Sequence, residues 1–110
     1  MKQYDLINVS DCTEWLLNNN FYYKRSITDW QQFNHCQAWY RGVVLGNESG
    51  EFEVYFLQSY RTMVAAYIVE SGELVRFGKY SRTTSKQTTQ WGNYMNRQKS
   101  YRELRCSLGI

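Results

Sequence analysis

Six hydroxyl side chains crowd into residues 81–89: Ser81, Thr83, Thr84, Ser85, Thr88 and Thr89, with Lys79, Arg82 and Lys86 nearby. Hydroxyls and cations beside the free N–H groups of a helix start are the ingredients of an anion or phosphate site. The spacing excludes a nucleotide-hydrolysing P-loop, because no G-x-x-x-x-G-K-[ST] accompanies the cluster. A serine or threonine nucleophile would need a positioned base. The single histidine, His35, is remote in sequence and supported by no motif. Ordinary helix capping accounts for the same hydroxyls more simply. No catalytic residue is assigned, and an enzyme is not expected.

Metal and redox chemistry are equally thin. Cys12, Cys36 and Cys106 are odd in number and widely spaced, with no C-x-x-C. A disulfide framework is therefore not expected. His35 and Cys36 are adjacent, whereas a structural zinc site wants ligands two to four residues apart. Buried reduced thiols are the better reading, with no metal and no cofactor.

These residues must be positioned by the elements around them. Phe52, Val54 and Phe56 alternate with Glu53 and Tyr55, the period-2 mark of a strand with one buried face. Val64, Ala66 and Ile68 repeat that pattern, and Ser71-Gly72 then reads as a two-residue hairpin loop. That register sets Ile68 beside Val75 and Ala66 beside Phe77. It also opposes Glu70 to Glu73, a penalty that a loop longer by a residue or two would relieve. After Tyr80 the period changes. Thr84-x-x-Gln87 reads as a capping box, and Thr88, Trp91 and Met95 share one helical face. Gly92 inside that helix implies close backbone packing or a bend.

Upstream, Asp11-x-x-Glu14 opens a short helix ended by Asn18-Asn19-Asn20, and residues 21–23 suit a short strand. A second capping box, Thr28-x-x-Gln31, predicts another short helix carrying Trp30 and Phe33. Strands over 38–45 and 51–58 flank the turn Gly46-Asn47-Glu48-Ser49-Gly50. The tail restarts at Ser100-x-x-Glu103 and suits helix or strand, with a short helix preferred. The expected architecture is α+β in one domain, residues 1–110. It has two short N-terminal helices, a four-stranded antiparallel meander and a C-terminal helix across one sheet face. The other sheet face would stay open to solvent or a partner.

Composition bounds the class. The chain has 110 residues, no proline and 43% hydrophobic content, too rich for disorder. Ten Tyr and four Trp exceed what a small core hides, so exposed rings and a binding role are expected. No apolar run approaches the roughly 18 residues a bilayer span needs, and no signal-peptide core is evident. A cytoplasmic protein without membrane contact is the expectation.

Charge is uneven. Through Tyr55, four cations face seven carboxylates; from Phe56 on, nine cations face three, leaving a net +3 for the chain. A basic half interleaved with Tyr and Trp is what nucleic-acid binders show, since cations neutralise phosphates while rings stack on bases. The candidate binding residues are Lys79, Arg82, Lys86, Arg97, Lys99, Arg102 and Arg105, with Tyr80 and Tyr94. A helix and tail that need charge for solubility would carry the same residues.

The string Ser59-Tyr60-x-Thr62-x-Val64-Ala65, followed by Tyr80-Ser81-x-Thr83-Thr84-Ser85-Lys86-Gln87, resembles a recurring pattern. It is found in small uncharacterised proteins of phages, plasmids and conjugative elements of gram-positive bacteria. The likeness covers roughly residues 52–92, and such proteins often carry His at the position of Gln87. The resemblance implies a habitat, the host bacterial cytoplasm, and not a reaction. Two functions follow as expectations. The first is a non-enzymatic accessory protein that binds and inhibits a host defence complex, in the manner of anti-CRISPR proteins. Its partner would be a host protein or a protein–nucleic-acid complex. The second is a small basic protein that binds DNA or RNA directly in replication or regulation.

Overall fold

The computed structural model describes residues 10–34, 37–78 and 80–108, with side chains described for these except 10, 11, 101 and 103–108. The order is α1 (Ser10–Asn18), β1 (Tyr22–Ser26), β2 (Gln31–Gln32), β3 (Ala38–Asn47), β4 (Gly50–Ser59), β5 (Thr62–Ile68), β6 (Glu73–Arg76) and α2 (Arg82–Leu108). The chain is α+β. One antiparallel sheet runs β1-β3-β4-β5-β6, and β2 also pairs with β3. The four expected strands are present, and β1 and β2 widen the sheet to six.

Helix α1 ends as the asparagine run suggests. Asn20 takes a left-handed φ of 56°, while the Phe21 N–H donates to Leu16 O and the Asn20 N–H to Leu17 O. This double bond pattern satisfies the orphan carbonyls of a helix end. It also delivers Phe21 into the core, its ring 5.2 Å from that of Trp15.

The second N-terminal helix does not form. Gly42 N–H donates to Thr28 Oγ1 at 2.9 Å, and the Ile27 and Thr28 N–H groups both donate to Gly42 O. Gln31 and Gln32 then pair with Tyr40 and Trp39 as β2. A capping box offers only local bonds, and the edge of β3 offers the same backbone a ladder.

The β5–β6 hairpin slips by two residues and keeps Ala66, Ile68, Val75 and Phe77 on one face. A register shift against β4 turns Val64 to the opposite face, which corrects the expected alternation of Val64 with Ala66 and Ile68. Ala66 lies opposite Val75, and Ile68 opposite Glu73, leaving a four-residue loop that separates Glu70 from Glu73. A slip of two preserves which side chains point inward, so those four apolar residues still share a face.

Neither face of the sheet is left open, which corrects the expectation of one free face. On one side, Cys12 and Leu16 of α1 pack with Phe21 against Val43, Leu45, Val54, Phe56, Met63 and Ala66. On the other, Trp91 and Met95 of α2 pack against Ala38, Tyr55, Leu57, Val64, Ala65 and Tyr67. The alternation along β4 is apolar on both faces: Val54 and Phe56 serve one core, Tyr55 and Leu57 the other.

Helix α2 is one continuous element of 27 residues, so the tail does not restart at Ser100. Its N-cap is Ser81, three residues before the predicted box. Ser85 N–H donates to Ser81 O at 2.9 Å, and Thr84 N–H to Ser81 Oγ at 3.3 Å. The inward face is the predicted one, with Thr88, Trp91 and Met95 all buried. At Gly92, an added Cβ would lie 2.8 Å from Leu74 Cδ2. The glycine therefore serves close approach of helix to sheet.

Candidate functional site

Of the nine predicted binding residues, Lys79 lies outside the described residues, as does the Arg105 side chain, although its backbone belongs to α2. The other seven separate into three groups. Arg82, Lys86 and Arg97 are exposed, as are Gln90 and Asn93. Their spacing of four, four, three and four residues puts them in one stripe along the helix. By helical rise the stripe from Arg82 to Arg97 is about 22 Å long.

Lys99, Arg102 and Tyr94 turn toward the sheet instead. Lys99 Nζ donates to Glu70 O at 3.5 Å, and Arg102 Nη1 meets Glu53 Oε2 at 3.2 Å. Burial works against the Arg102 charge, but the bonds to Glu53 and Tyr55 overcome it and leave its pKa above the ordinary arginine value. The Tyr94 hydroxyl lies 3.4 Å from that of Tyr40, and its ring is 5.6 Å from Phe33. Tyr80 stands apart from both groups. It packs on the core beneath α2, and its hydroxyl donates to Met63 O at 3.4 Å.

The hydroxyl cluster is absorbed by the helix. Ser81 caps it, Thr88 Oγ1 donates to Thr84 O at 2.8 Å, and Thr89 Oγ1 donates to Ser85 O at 3.1 Å. Thr89 Oγ1 also accepts from Arg76 Nη2 at 2.7 Å. These bonds direct the oxygens along the helix and toward β6, in keeping with the helix-capping reading preferred over an anion site.

Between α2 and the sheet lies a cleft of about 150 Å³, with Val69 and Met95 as its apolar lining. Tyr40, Tyr55 and Tyr67 line it from three different strands. Tyr94, Gln98, Lys99 and Arg102 come from α2, Thr28 from the β1–β2 connection and Gln31 from β2. Trp91 stands behind it, its ring 6.2 Å from Tyr40 and 6.4 Å from Tyr67. The buried Trp91 Nε1–H meets no acceptor among the described residues. Burial, and then the bond to Tyr94, push the Tyr40 phenol well above its ordinary pKa. The Tyr40 phenol therefore stays protonated at neutral pH, able to donate a hydrogen bond.

The Cys12 thiol is fully buried, and burial raises its pKa strongly, so it is not a nucleophile in the folded protein. His35 and Cys36 lie outside the described residues. Among the described residues, no three His, Cys, Asp or Glu side chains are grouped to hold a metal ion, and no helix is long and apolar enough to cross a membrane.

Sequence reasoning assigned no role to Tyr60, which is 61% exposed at the β4–β5 turn with a left-handed φ of 56°. Arg61 beside it is also exposed. Ser59 Oγ donates to Gln87 Oε1 at 3.3 Å, which ties this turn to the early turns of α2. A bulky residue at positive φ is an uncommon and strained choice for a hairpin turn. Its signal in the sequence was an aromatic where Gly or Asn is usual. Exposed rings are fewer than composition suggested: Tyr22 and Tyr60 are the large exposed aromatics among the described residues.

Residues 17–105 match the model of a family described as a family of unknown function, DUF8033. The chain belongs to that family. No curated protein and no solved structure matches it.

Proposed function

We propose that this member of a family of unknown function is a non-enzymatic binding protein that contacts nucleic acid through the outward face of α2. The observation that supports the reading is the exposed stripe of Arg82, Lys86 and Arg97, with the carboxamides of Gln90 and Asn93 between the cations. Cations on a rigid helix can each neutralise a phosphate, and carboxamides can reach base edges or sugar oxygens. Tyr60 and Arg61, tied to the start of the same helix through Ser59 and Gln87, add an exposed ring and a further cation.

A second reading follows from the sparseness of that stripe. Three cations over about 22 Å make a weak electrostatic footprint for free nucleic acid. A surface of this kind suits phosphates already held in a protein complex, where polar contacts to the protein supply the remainder. This is the mobile-element accessory role, an inhibitor of a host defence complex acting in the bacterial cytoplasm.

Fluorescence anisotropy with labelled single-stranded and duplex oligonucleotides across a salt series tests both. Direct binding through the stripe predicts a slope of log K against log salt of about −2.7 for duplex. Each of Arg82→Gln, Lys86→Gln and Arg97→Gln would reduce it by about 0.9. An unchanged slope in all three variants would overturn the assignment of the stripe. Absent oligonucleotide binding, with capture of a host complex that the triple variant loses, would select the second reading.

A further inference from the structure

We infer that the cleft between α2 and the sheet is a binding site for a small oxyanion, inorganic phosphate or the phosphate of a small monoester. It lies on the inner side of α2, and the inference does not depend on the nucleic-acid reading of the outer stripe.

The chemistry of the lining carries it. Lys99 and Arg102 line the cleft, and among the described residues that line it none is a carboxylate. Glu53 engages one guanidinium nitrogen of Arg102 from outside that lining, and Tyr55 within the lining also bonds the guanidinium. A guanidinium has five N–H donors, so its fork is not exhausted by these two contacts. The Arg102 side chain remains 55% exposed and open to an incoming group. Deeper in, the Tyr40 and Tyr94 hydroxyls share a single long contact of 3.4 Å. Two phenols offer two O–H donors, and one contact uses one of them. Gln31 and Gln98 bring carboxamide N–H donors to the same space.

Donors and positive charge thus converge on a volume of about 150 Å³. Pockets for drug-sized ligands run to about 300–1,000 Å³. A compact ligand is therefore indicated, one that presents several acceptor oxygens and negative charge. A phosphate group has that form, and charge-assisted bonds to Lys and Arg are the strong class of hydrogen bond. The two cations are three residues apart on α2, so the helix presents both on one side.

The test is a titration of ¹⁵N-labelled protein with inorganic phosphate at constant ionic strength, with a nucleoside monophosphate as the second arm. Saturable shifts confined to the amides of residues 31, 40, 94, 98 and 99 are expected. Lys99→Gln should weaken the affinity about tenfold, the effect of losing one charge-assisted bond. Tyr94→Phe should weaken it several-fold, and Arg97→Gln on the outer stripe should leave it unchanged. Tighter binding of the monophosphate, with further shifts around Tyr55 and Tyr67, identifies a monoester as the ligand; equal affinity identifies free phosphate. Non-saturating shifts, shifts centred on Arg82–Arg97, or an unaltered affinity in a folded Lys99→Gln protein would each overturn the site. A salt slope for oligonucleotide binding reduced by about 0.9 in Arg97→Gln, with phosphate binding intact, would separate the two surfaces.

Discussion

Gly42 and Tyr55 are direct cross-strand partners, and a Cβ on Gly42 would stand 2.4 Å from Tyr55 Cε2. The tyrosine ring lies flat over the position where every other residue type would put a side chain. That placement buries Tyr55 to 7% exposure and makes its ring part of the cleft wall. The glycine and the tyrosine act as one unit, with the missing side chain of one filled by the ring of the other.

Gly42→Ala should therefore destabilise the protein by about 1–3 kcal/mol, the usual range for overpacking a filled site. Urea unfolding measures it. A double-mutant cycle with Tyr55→Ala should show strong coupling, because the clash disappears with the ring. A Gly42→Ala protein as stable as the wild type would mean that Tyr55 moves aside without cost.

Trp91 gives a contrast within one side chain. It is fully buried, yet its indole N–H is unpartnered among the described residues. Truncation to Ala should cost about 3–5 kcal/mol from lost burial and the cavity left behind. Phe keeps most of the ring and removes a donor whose burial is itself costly. Trp91→Phe is expected to cost less than about 1.5 kcal/mol. Equal losses in the two variants would show that the N–H has an acceptor after all.

At the β1 edge, Lys24 Nζ lies 2.6 Å from Glu51 Oε2, and Arg25 lies 3.4 Å from the other carboxylate oxygen. The hydrogen bond from Lys24 lowers the Glu51 pKa, and the same bond raises that of Lys24. Because the folded Glu51 value is depressed, its stabilisation is present above the ordinary carboxylate range. It is lost as pH falls through the lowered folded value. The raised Lys24 sets the opposite limit, with loss as pH climbs through its folded value. Melting temperatures of wild type and Glu51→Gln should differ by a small constant amount around neutrality and converge at both extremes. The groups are exposed, so added salt should shrink the difference at every pH. A difference that persists at acid pH would point to packing in place of charge.

Much of the fold was legible along single elements. The inward face of α2 announced itself in the spacing of Thr88, Trp91 and Met95, all of which are buried. The turn at 46–50 closes β3 onto β4 with Asn47 opposite Gly50. The asparagine run ends α1 as its residue types suggest. Misreadings arose where a local signal competed with a distant partner. Thr28 has the spacing of a helix cap, but its hydroxyl serves Gly42. The Glu70–Glu73 conflict forecast a longer loop, and the pairing of Ala66 with Val75 realises it.

The candidate sites divide in the same way. The α+β class and the basic half were determined by the sequence itself, but that Arg82, Lys86 and Arg97 share one exposed stripe depends on α2 starting at Arg82 and running on unbroken past Ser100. That Lys99, Arg102 and Tyr94 face inward, against Tyr40, Tyr55 and Tyr67 from three strands, was decided only by tertiary structure. So was the covering of both sheet faces. The reason is physical: helical or strand period ties together side chains a few residues apart through backbone geometry alone. A cleft between layers depends on strand order, register and the line of the helix across the sheet. Those are set by packing energies between residues far apart in the chain, which no local pattern records.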